Sequence, residues 1–323
     1  VATSGQYFVV SNFDPVPSEL QGGFLAVGNF EGVHCGHARL ISRLRTWADA
    51  SGGRPAIALT FDPSPASILR PGSAPAPLTW LDRKVELLHA AGATHVGVFQ
   101  TGRWLLSLSA KEFLDRVVRG QFQAHGMVEG PSFGFGRDRG GDARLLAQWC
   151  QDSGLLFEII PPDDYNGLIV SSSRIRNLLA EGKVADAATL LGRPHRVRGK
   201  VRPGAGRGLE IGIPTANLAE VQGALPGDGV YAGHAWMDLS GPAWTAAIHI
   251  GPNLTFGEST PSFEVHLLDY NAGPLYNHTL EVEFFERVRG SIKFQNSDEL
   301  VQQIQRDVAE TRKLIGVDFS AKG

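Results

Sequence analysis

Between residues 24 and 160 the chain alternates short apolar runs with stretches whose apolar residues recur at helical spacing. Residues 24–27, 56–61, 95–99, 126–128 and 155–160 read as strands, and 38–50, 84–91, 111–118 and 143–150 as helices. Strands separated by helices of this length predict a parallel sheet covered on both faces, the doubly wound α/β arrangement. Ligands of such sheets sit beyond the carboxyl ends of the strands. The segment after Val27 is therefore the first place to look for chemistry.

Residues 173–191 keep helical spacing in two pieces, broken at Gly182 and closed by Gly192 with Pro194 shortly beyond. The period then falls to that of strands at 230–232, 244–250, 263–270 and 280–285, with glycine and proline recurring between them, which predicts an antiparallel barrel. Asn296 and Glu299 form a capping box ahead of Leu300, Val301, Ile304 and Val308 on one face, so the last helix is expected to cover an opening or flank of that barrel. The change of period divides the chain into 1–192, α/β, and 193–323, β with a terminal helix.

Size and charge narrow the classes of function. A chain of 323 residues exceeds one average domain. A net charge of −3 argues against a general nucleic-acid or membrane-surface binder, so an anionic small substrate has to be held by local groups. With only Cys35 and Cys150, there is no disulfide framework to read and a reducing compartment fits. Phe8-Val9-Val10 is too short for a signal-peptide core, and no apolar run approaches the roughly 20 residues that cross a bilayer. The expectation is a soluble, cytoplasmic protein with neither nucleic-acid nor membrane partners, its oligomeric state left open.

After the first strand comes Gly28-Asn29-Phe30-Glu31-Gly32-Val33-His34-Cys35-Gly36-His37. This turn delivers His34 and His37 to a helix start, where unpaired N–H groups and the positive dipole end favour phosphate. Imidazoles there can donate to a triphosphate as charge builds on a leaving pyrophosphate, which suits nucleotidyl transfer. A metal pair is the alternative for His-x-x-His, although no third ligand lies nearby in sequence. Val170-Ser171-Ser172-Ser173-Arg174-Ile175-Arg176 offers hydroxyls and two guanidiniums at another helix start, suited to phosphate oxygens or to ordinary capping.

In the second half, Gly204 and Gly206 precede Pro214-Thr215-Ala216-Asn217. Close glycines let the backbone approach a phosphate, and Thr215 with Asn217 offers oxygen ligands to Mg²⁺; a loop before a rigid proline turn is the plainer alternative. Glu264, alternating with apolar residues in Phe263-Glu264-Val265-His266-Leu267, is either a solvent-facing acid or a general base for a hydroxyl.

These segments belong to an ordered set that also contains Thr60-Phe61-Asp62-Pro63, Phe133-Gly134-Phe135-Gly136, Leu191-Gly192-Arg193-Pro194 and Lys293-Phe294. In that order, over about residues 23–307, the chain resembles the bifunctional prokaryotic FAD synthetases, which join an FMN adenylyltransferase (nucleotidylyltransferase) domain to a riboflavin kinase domain. The resemblance implies two reactions: riboflavin and ATP give FMN and ADP in the second half, and FMN and ATP give FAD and pyrophosphate in the first. It implies that His34 and His37 hold the ATP phosphates and that Ser172, Ser173, Arg174 and Arg176 bind the triphosphate. Gly28 and Asn29 would belong to the same nucleotide pocket, and Phe61, Phe133 and Arg289 to flavin binding. In the kinase half, Gly204 and Gly206 would meet nucleotide, Thr215 and Asn217 would meet Mg²⁺ and ATP, and Glu264 would be the base.

The chain also departs from the family pattern. Glu31 stands for Asp, Asp62 for Glu and Ser64 for His, which keeps most of the chemistry. Ser132 and Gly134 replace Asp and Arg, removing both charges from that motif. In the kinase half Leu209 stands for Arg, Ile213 for Phe, His249 for Asn, Leu254 for Pro and Asn277 for Gly, while Gly290-Ser291 replaces an acidic pair after Arg289. These changes set up two rival readings: an adenylyltransferase with a degenerate kinase-like module, and a flavin or nucleotide sensor without catalysis.

Overall fold

The computed structural model describes residues 6–162, 164–165, 168–204, 206, 208, 212–238, 240–253, 255 and 260–320. Leu209 and Leu254 lie outside them. The chain forms two compact units, one of residues up to Ala76 with Trp80–Ser171, the other of Pro77–Thr79 with the residues from Ser172 onward.

The first unit runs β1 (Phe8–Val10), β2 (Phe24–Val27), α1 (Cys35–Ala50), β3 (Ala56–Asp62), α2 (Pro65–Leu69), α3 (Leu81–Ala90) and β4 (His95–Gln100). It continues with α4 (Arg103–Leu106), α5 (Ala110–Glu112), a π-helical stretch Phe113–Gln121, β5 (Gly126–Glu129), β6 (Gly134–Phe135), β7 (Gly141–Asp142), α6 (Ala143–Asp152), β8 (Leu156–Ile159), β9 (Asp164–Tyr165) and β10 (Leu168–Ile169). Strands β1-β4-β3-β2-β5-β8, in that order, make a six-stranded sheet whose pairs are all parallel. The chain moves one way from β2 through β3 to β4 and the other way from β5 to β8, so the order reverses between β2 and β5. That switch point is where a doubly wound sheet opens a crevice.

Alternation along the strands sorts the core. Leu25, Val27, Ile57 and Leu59 enter one buried cluster; Phe24, Ala26, Ala56 and Ala58 enter the cluster on the opposite face, against Leu40, Ile41 and Leu44 of α1. Each fully buried aliphatic side chain contributes roughly 1.5–3 kcal/mol. The helix expected at 111–118 is found, but from Phe113 it widens to π geometry. Its last residue, Gln121, is buried and donates to the carbonyls of Asn12 (3.0 Å) and Asp14 (2.6 Å).

The second unit begins with α7 (Ser172–Ala180) and α8 (Val184–Leu191), joined through Gly182 at φ +74° and ended by Gly192 at φ +72°. Then follow β11 (His195–Arg202), β12 (Ala216–Gln222), β13 (Gly229–Met237), β14 (Ser240–Pro252), β15 (Pro261–Leu267), β16 (Thr279–Arg289) and α9 (Ser297–Ser320). The strands close into an antiparallel barrel ordered β11-β12-β15-β14-β13-β16. Val197, Tyr231, Ile248, Val265, Val282 and Phe284 are buried in this unit. Arg196 donates to Glu281 and Glu283 and lies 4.1 Å over the Trp236 ring. At the start of α9 the Asn296 side chain accepts from Glu299 N at 2.9 Å, while the Glu299 carboxylate reaches back to Gln295 N at 3.1 Å. The helix packs on β13, β14 and β16, as a flank cover should.

The units divide at Ser171/Ser172 rather than at 192. Two helices that sequence spacing groups with the α/β half pack instead with the barrel: α8 lies on β11 and β16, and Leu179 O accepts from Gly227 N at 2.8 Å.

Candidate functional sites

In the first unit β2 stops at Val27, and Gly28 N still donates to Leu59 O at 3.0 Å. Phe30 (φ +45°), Gly32 (φ +74°) and Val33 (φ +38°) then turn the chain left-handed, a strained route for Phe and Val. His34 is extended and serves as the N-cap position of α1, which no side chain caps. The helix begins at Cys35, earlier than the spacing predicts, so His37 lies in its first turn. The two imidazoles stack with centroids 3.7 Å apart and planes 17° from parallel, and His37 meets the edge of Phe30 at 5.3 Å. Burial, then His34 and Lys84, hold His37 well below the usual histidine range, so it is neutral at pH 7. Its Nδ1 is buried and has no hydrogen-bond partner among the described residues. Glu31, which stands where the family has Asp, pairs its carboxylate with the buried Lys84 at 3.0 Å.

Glu129, at the carboxyl end of β5, was not flagged by sequence pattern. Main-chain pairing of β2 with β5 covers only Phe24↔Gly126 and Leu25↔Met127. Beyond it the Glu129 carboxyl reaches across the switch point and accepts from Val27 N at 2.8 Å. Burial pushes this group well above the usual carboxylate range and favours its neutral form. The only sequence signal is a glutamate ending an apolar strand.

Phe61 and Phe133, the expected flavin residues of this half, are half-buried against one core cluster. Phe61 stacks on Phe99 at 5.4 Å and Phe133 on Phe135 at 5.3 Å. Trp104 extends the first stack, 6.2 Å from Phe99 and edge-on to Phe13 at 5.1 Å, another contributor that the linear pattern hides. Ser64 caps α2, accepting from Ser67 N at 3.3 Å.

In the second unit Ser172, Ser173, Arg174 and Arg176 occupy the opening turns of α7. Around the barrel, Thr215, Asn217 and Glu264 lie together. Asn217 faces Glu264 in the β12/β15 register, and Thr215 Oγ donates to Glu264 Oε2 at 3.3 Å. Glu264 Oε1 accepts from Asn253 Nδ2 (2.9 Å) and Ser262 Oγ (3.0 Å), two contributors missed by motif reading. Ser262 was findable, since residues two apart on a strand share a face. Gly204 abuts the Asn217 amide so closely that a Cβ would lie 2.2 Å from its nitrogen, a concrete reason for glycine there; Gly206 is left-handed at φ +75°.

The departures in this unit also find places. His249 faces Glu264 across β14/β15; burial holds its imidazole below the ordinary value while Glu264 opposes that shift. Asn277 adopts φ +68°, the left-handed region where glycine is expected and asparagine is tolerated. Arg289, followed by Gly290-Ser291, takes its carboxylate from α9: Nη2 donates to Asp307 at 2.7 Å and Nε at 3.0 Å. Among the described residues no cluster of three His, Cys, Asp or Glu side chains could hold a metal. Thr215 and Asn217 beside Glu264 nevertheless make a hard-oxygen set that fits Mg²⁺, an ion usually completed by substrate phosphates and water.

The chain matches two family models, FAD synthetase over residues 9–174 and riboflavin kinase over 191–315. It is 35% identical to the bifunctional riboflavin kinase/FMN adenylyltransferase of Pseudomonas fluorescens, covering 92% of this chain and 94% of that one. The same-named protein of Escherichia coli K12 is 31% identical over 95% and 97%, and that of Bacillus subtilis 32% identical over 88% and 90%. The solved structure of a macrolide-efflux protein from Streptococcus pneumoniae aligns at a TM-score of 0.82 and 28% identity, over 94% of this chain and 99% of that one. No described helix of this chain is long and apolar enough to cross a membrane.

Proposed function

The chain belongs to the bifunctional riboflavin kinase/FMN adenylyltransferase family, and from that premise we propose which residues serve each reaction. The enzyme phosphorylates riboflavin with ATP to give FMN and ADP, and transfers an adenylyl group from a second ATP to FMN, giving FAD and pyrophosphate.

For adenylyl transfer, an oxygen of the FMN phosphate attacks the α-phosphorus of ATP and the bond to pyrophosphate breaks. The nucleophile is already ionised, so alignment and charge stabilisation suffice. His34 and His37 donate to the phosphates where charge develops, and the Gly28-Asn29 turn seats the nucleotide. With burial keeping His37 uncharged in the nucleotide-free site, what it offers the phosphates is one N–H donor rather than a fixed positive charge. Ser172, Ser173, Arg174 and Arg176 are assigned to phosphate binding by the family resemblance alone; the FAD synthetase match extends into α7 as far as residue 174. Phe61 and Phe133 receive the flavin ring.

For phosphorylation, the primary hydroxyl of riboflavin attacks the γ-phosphorus of ATP and ADP departs. Glu264 takes the hydroxyl proton, its carboxylate aimed by Asn253, Ser262 and Thr215. Thr215 and Asn217 would hold Mg²⁺, which would supply positive charge for the transferring phosphoryl group. Gly204 and Gly206 bring backbone to the nucleotide, and Arg289, fixed by Asp307, contacts the flavin. We place this ATP-dependent chemistry in the cytoplasm.

The observation that carries the two-site reading is the distribution of candidate groups: His34 and His37 lie in one compact unit, Thr215, Asn217 and Glu264 in the other. The test is to supply riboflavin, ATP and Mg²⁺ and separate the flavins, then repeat with His37→Ala and Glu264→Gln. The first variant should accumulate FMN; the second should make FAD only when FMN is given. Joint loss of both activities in either variant would overturn the assignment.

A further inference from the structure

We propose that Arg139 binds the phosphate of FMN during adenylyl transfer, supplying from a neighbouring turn the cation that position 134 lacks. This rests on the reading above that Phe133 receives the flavin ring.

Gly134 has no side chain, yet the space beside it is filled. A Cβ built there would lie 2.7 Å from Nη2, 2.8 Å from Cζ and 2.9 Å from Nε of Arg139, so that guanidinium occupies the volume of a side chain at 134. It is anchored by one hydrogen bond, from Nη2 to Ser132 O at 3.1 Å. The backbone is bent to deliver it: Asp138 and Arg139 both stand at φ +56°, a left-handed conformation that non-glycine residues seldom adopt. The base of the turn is wedged against α5, where Gly136 at φ +73° sits so near that a Cβ would be 2.4 Å from Ala110 N. Arg137 N also donates to Leu108 O at 2.6 Å.

The charge is not consumed within the protein. Among the described residues no carboxylate pairs with Arg139. Asp142, which faces Gly134 across β6/β7, turns instead to α6 and accepts from Leu145 N at 2.8 Å; Asp138 lies beside Arg137 at 3.9 Å. An exposed guanidinium with most of its five N–H donors unused, held in a fixed place, matches the oxygens of a phosphate. Successive strand residues point to opposite faces. The cation at Gly134 is therefore set apart from the Phe133/Phe135 stack, as the ribityl chain of FMN sets its phosphate apart from its ring.

The test is steady-state adenylyl transfer with FMN and ATP varied separately. Arg139→Ala should raise the KM for FMN about tenfold, the loss of one charge-assisted contact, and leave the KM for ATP and riboflavin phosphorylation unchanged. Arg139→Lys, which keeps the charge without the fork, should fall between the alanine variant and the parent. The decisive variant restores the cation at the other position: Gly134→Arg in the Arg139→Ala background, where the obstructing guanidinium is gone, should recover most of the FMN affinity. An unchanged KM for FMN in an enzyme that makes FAD overturns the proposal alone, as does a rise confined to ATP or a failure of the relocated arginine to recover affinity. Absence of FAD formation by the parent protein overturns the functional reading and this proposal with it.

Discussion

In the parallel unit the candidate groups sit where a strand hands over to a helix; in the barrel they sit on neighbouring strands in register. His34 and His37 are placed by three left-handed residues and the first turn of α1, so their geometry depends on one short segment. Thr215, Asn217, His249, Asn253, Ser262 and Glu264 come from β12, β14 and β15 and the segments beside them, fixed by pairing across the barrel. On the proposed roles, the first arrangement presents donors to phosphate charge, while the second sets one carboxylate among hydrogen-bond donors beside the attacking hydroxyl. Adenylyl transfer begins from an ionised nucleophile and phosphorylation from an alcohol, so only the barrel needs a base.

The largest effect that could break this contrast is expected at Glu264. Glu264→Gln should lower riboflavin phosphorylation about 10²–10⁴-fold, the usual range for a general base, while FAD formation from supplied FMN persists. A product assay with each flavin substrate decides it. His37→Ala should lower adenylyl transfer about 10²-fold or more and spare phosphorylation, as expected for loss of one transition-state donor.

Stability should separate the units by pH. In the barrel His195 is buried, donates from Nε2 to Ala224 O at 2.7 Å, and burial pulls its imidazole from 6.5 to about 4. Below 6.5 the unfolded chain takes up a proton that the folded barrel refuses until about 4, so stability is full above that window and drains as pH falls through it, by about 3 kcal/mol. His195→Gln should flatten this loss in the acid-inactivation profile of phosphorylation. Glu129 in the parallel unit works in the other direction: its raised value means stability is full below the ordinary glutamate range and drains as pH rises through the folded value. Glu129→Gln should remove that loss with rising pH. Glu129→Leu, which abandons Val27 N, should cost about 1–3 kcal/mol in the thermal inactivation of adenylyl transfer.

Sequence legibility also differs between the units. The strands of the parallel sheet are apolar on both faces and stood out, apart from three-residue β1. In the barrel, β11 reads His-Arg-Val-Arg-Gly-Lys-Val-Arg, with His195, Val197, Gly199 and Val201 buried and basic residues between. A histidine and a glycine in half the inward positions conceal the period. In β12 small and polar residues do the same, and in β13 Gly233 and His234 interrupt the run. Motif spacing singles out His34, His37, Thr215, Asn217 and Glu264 as candidates because each lies in a short linear segment. Glu129, Asn253 and Trp104 owe their positions to chain crossings that no local window contains, and Arg139 to a left-handed turn that its non-glycine residues do not announce. Two of the motif departures have neighbours from elsewhere: Arg139 fills the space beside Gly134, and Asp307 pairs with the Arg289 that precedes Gly290-Ser291.

Cys150 is wholly buried in the parallel unit, and burial pushes its thiol up to about 11; Cys35, at the first residue of α1, is only partly enclosed. Thiolate is the reacting species, so a maleimide dye at neutral pH should attach to Cys35 and pass over Cys150. The native sequence thereby carries a one-position chemical handle beside the stacked imidazoles, and saturating ATP should slow its labelling without any engineered cysteine.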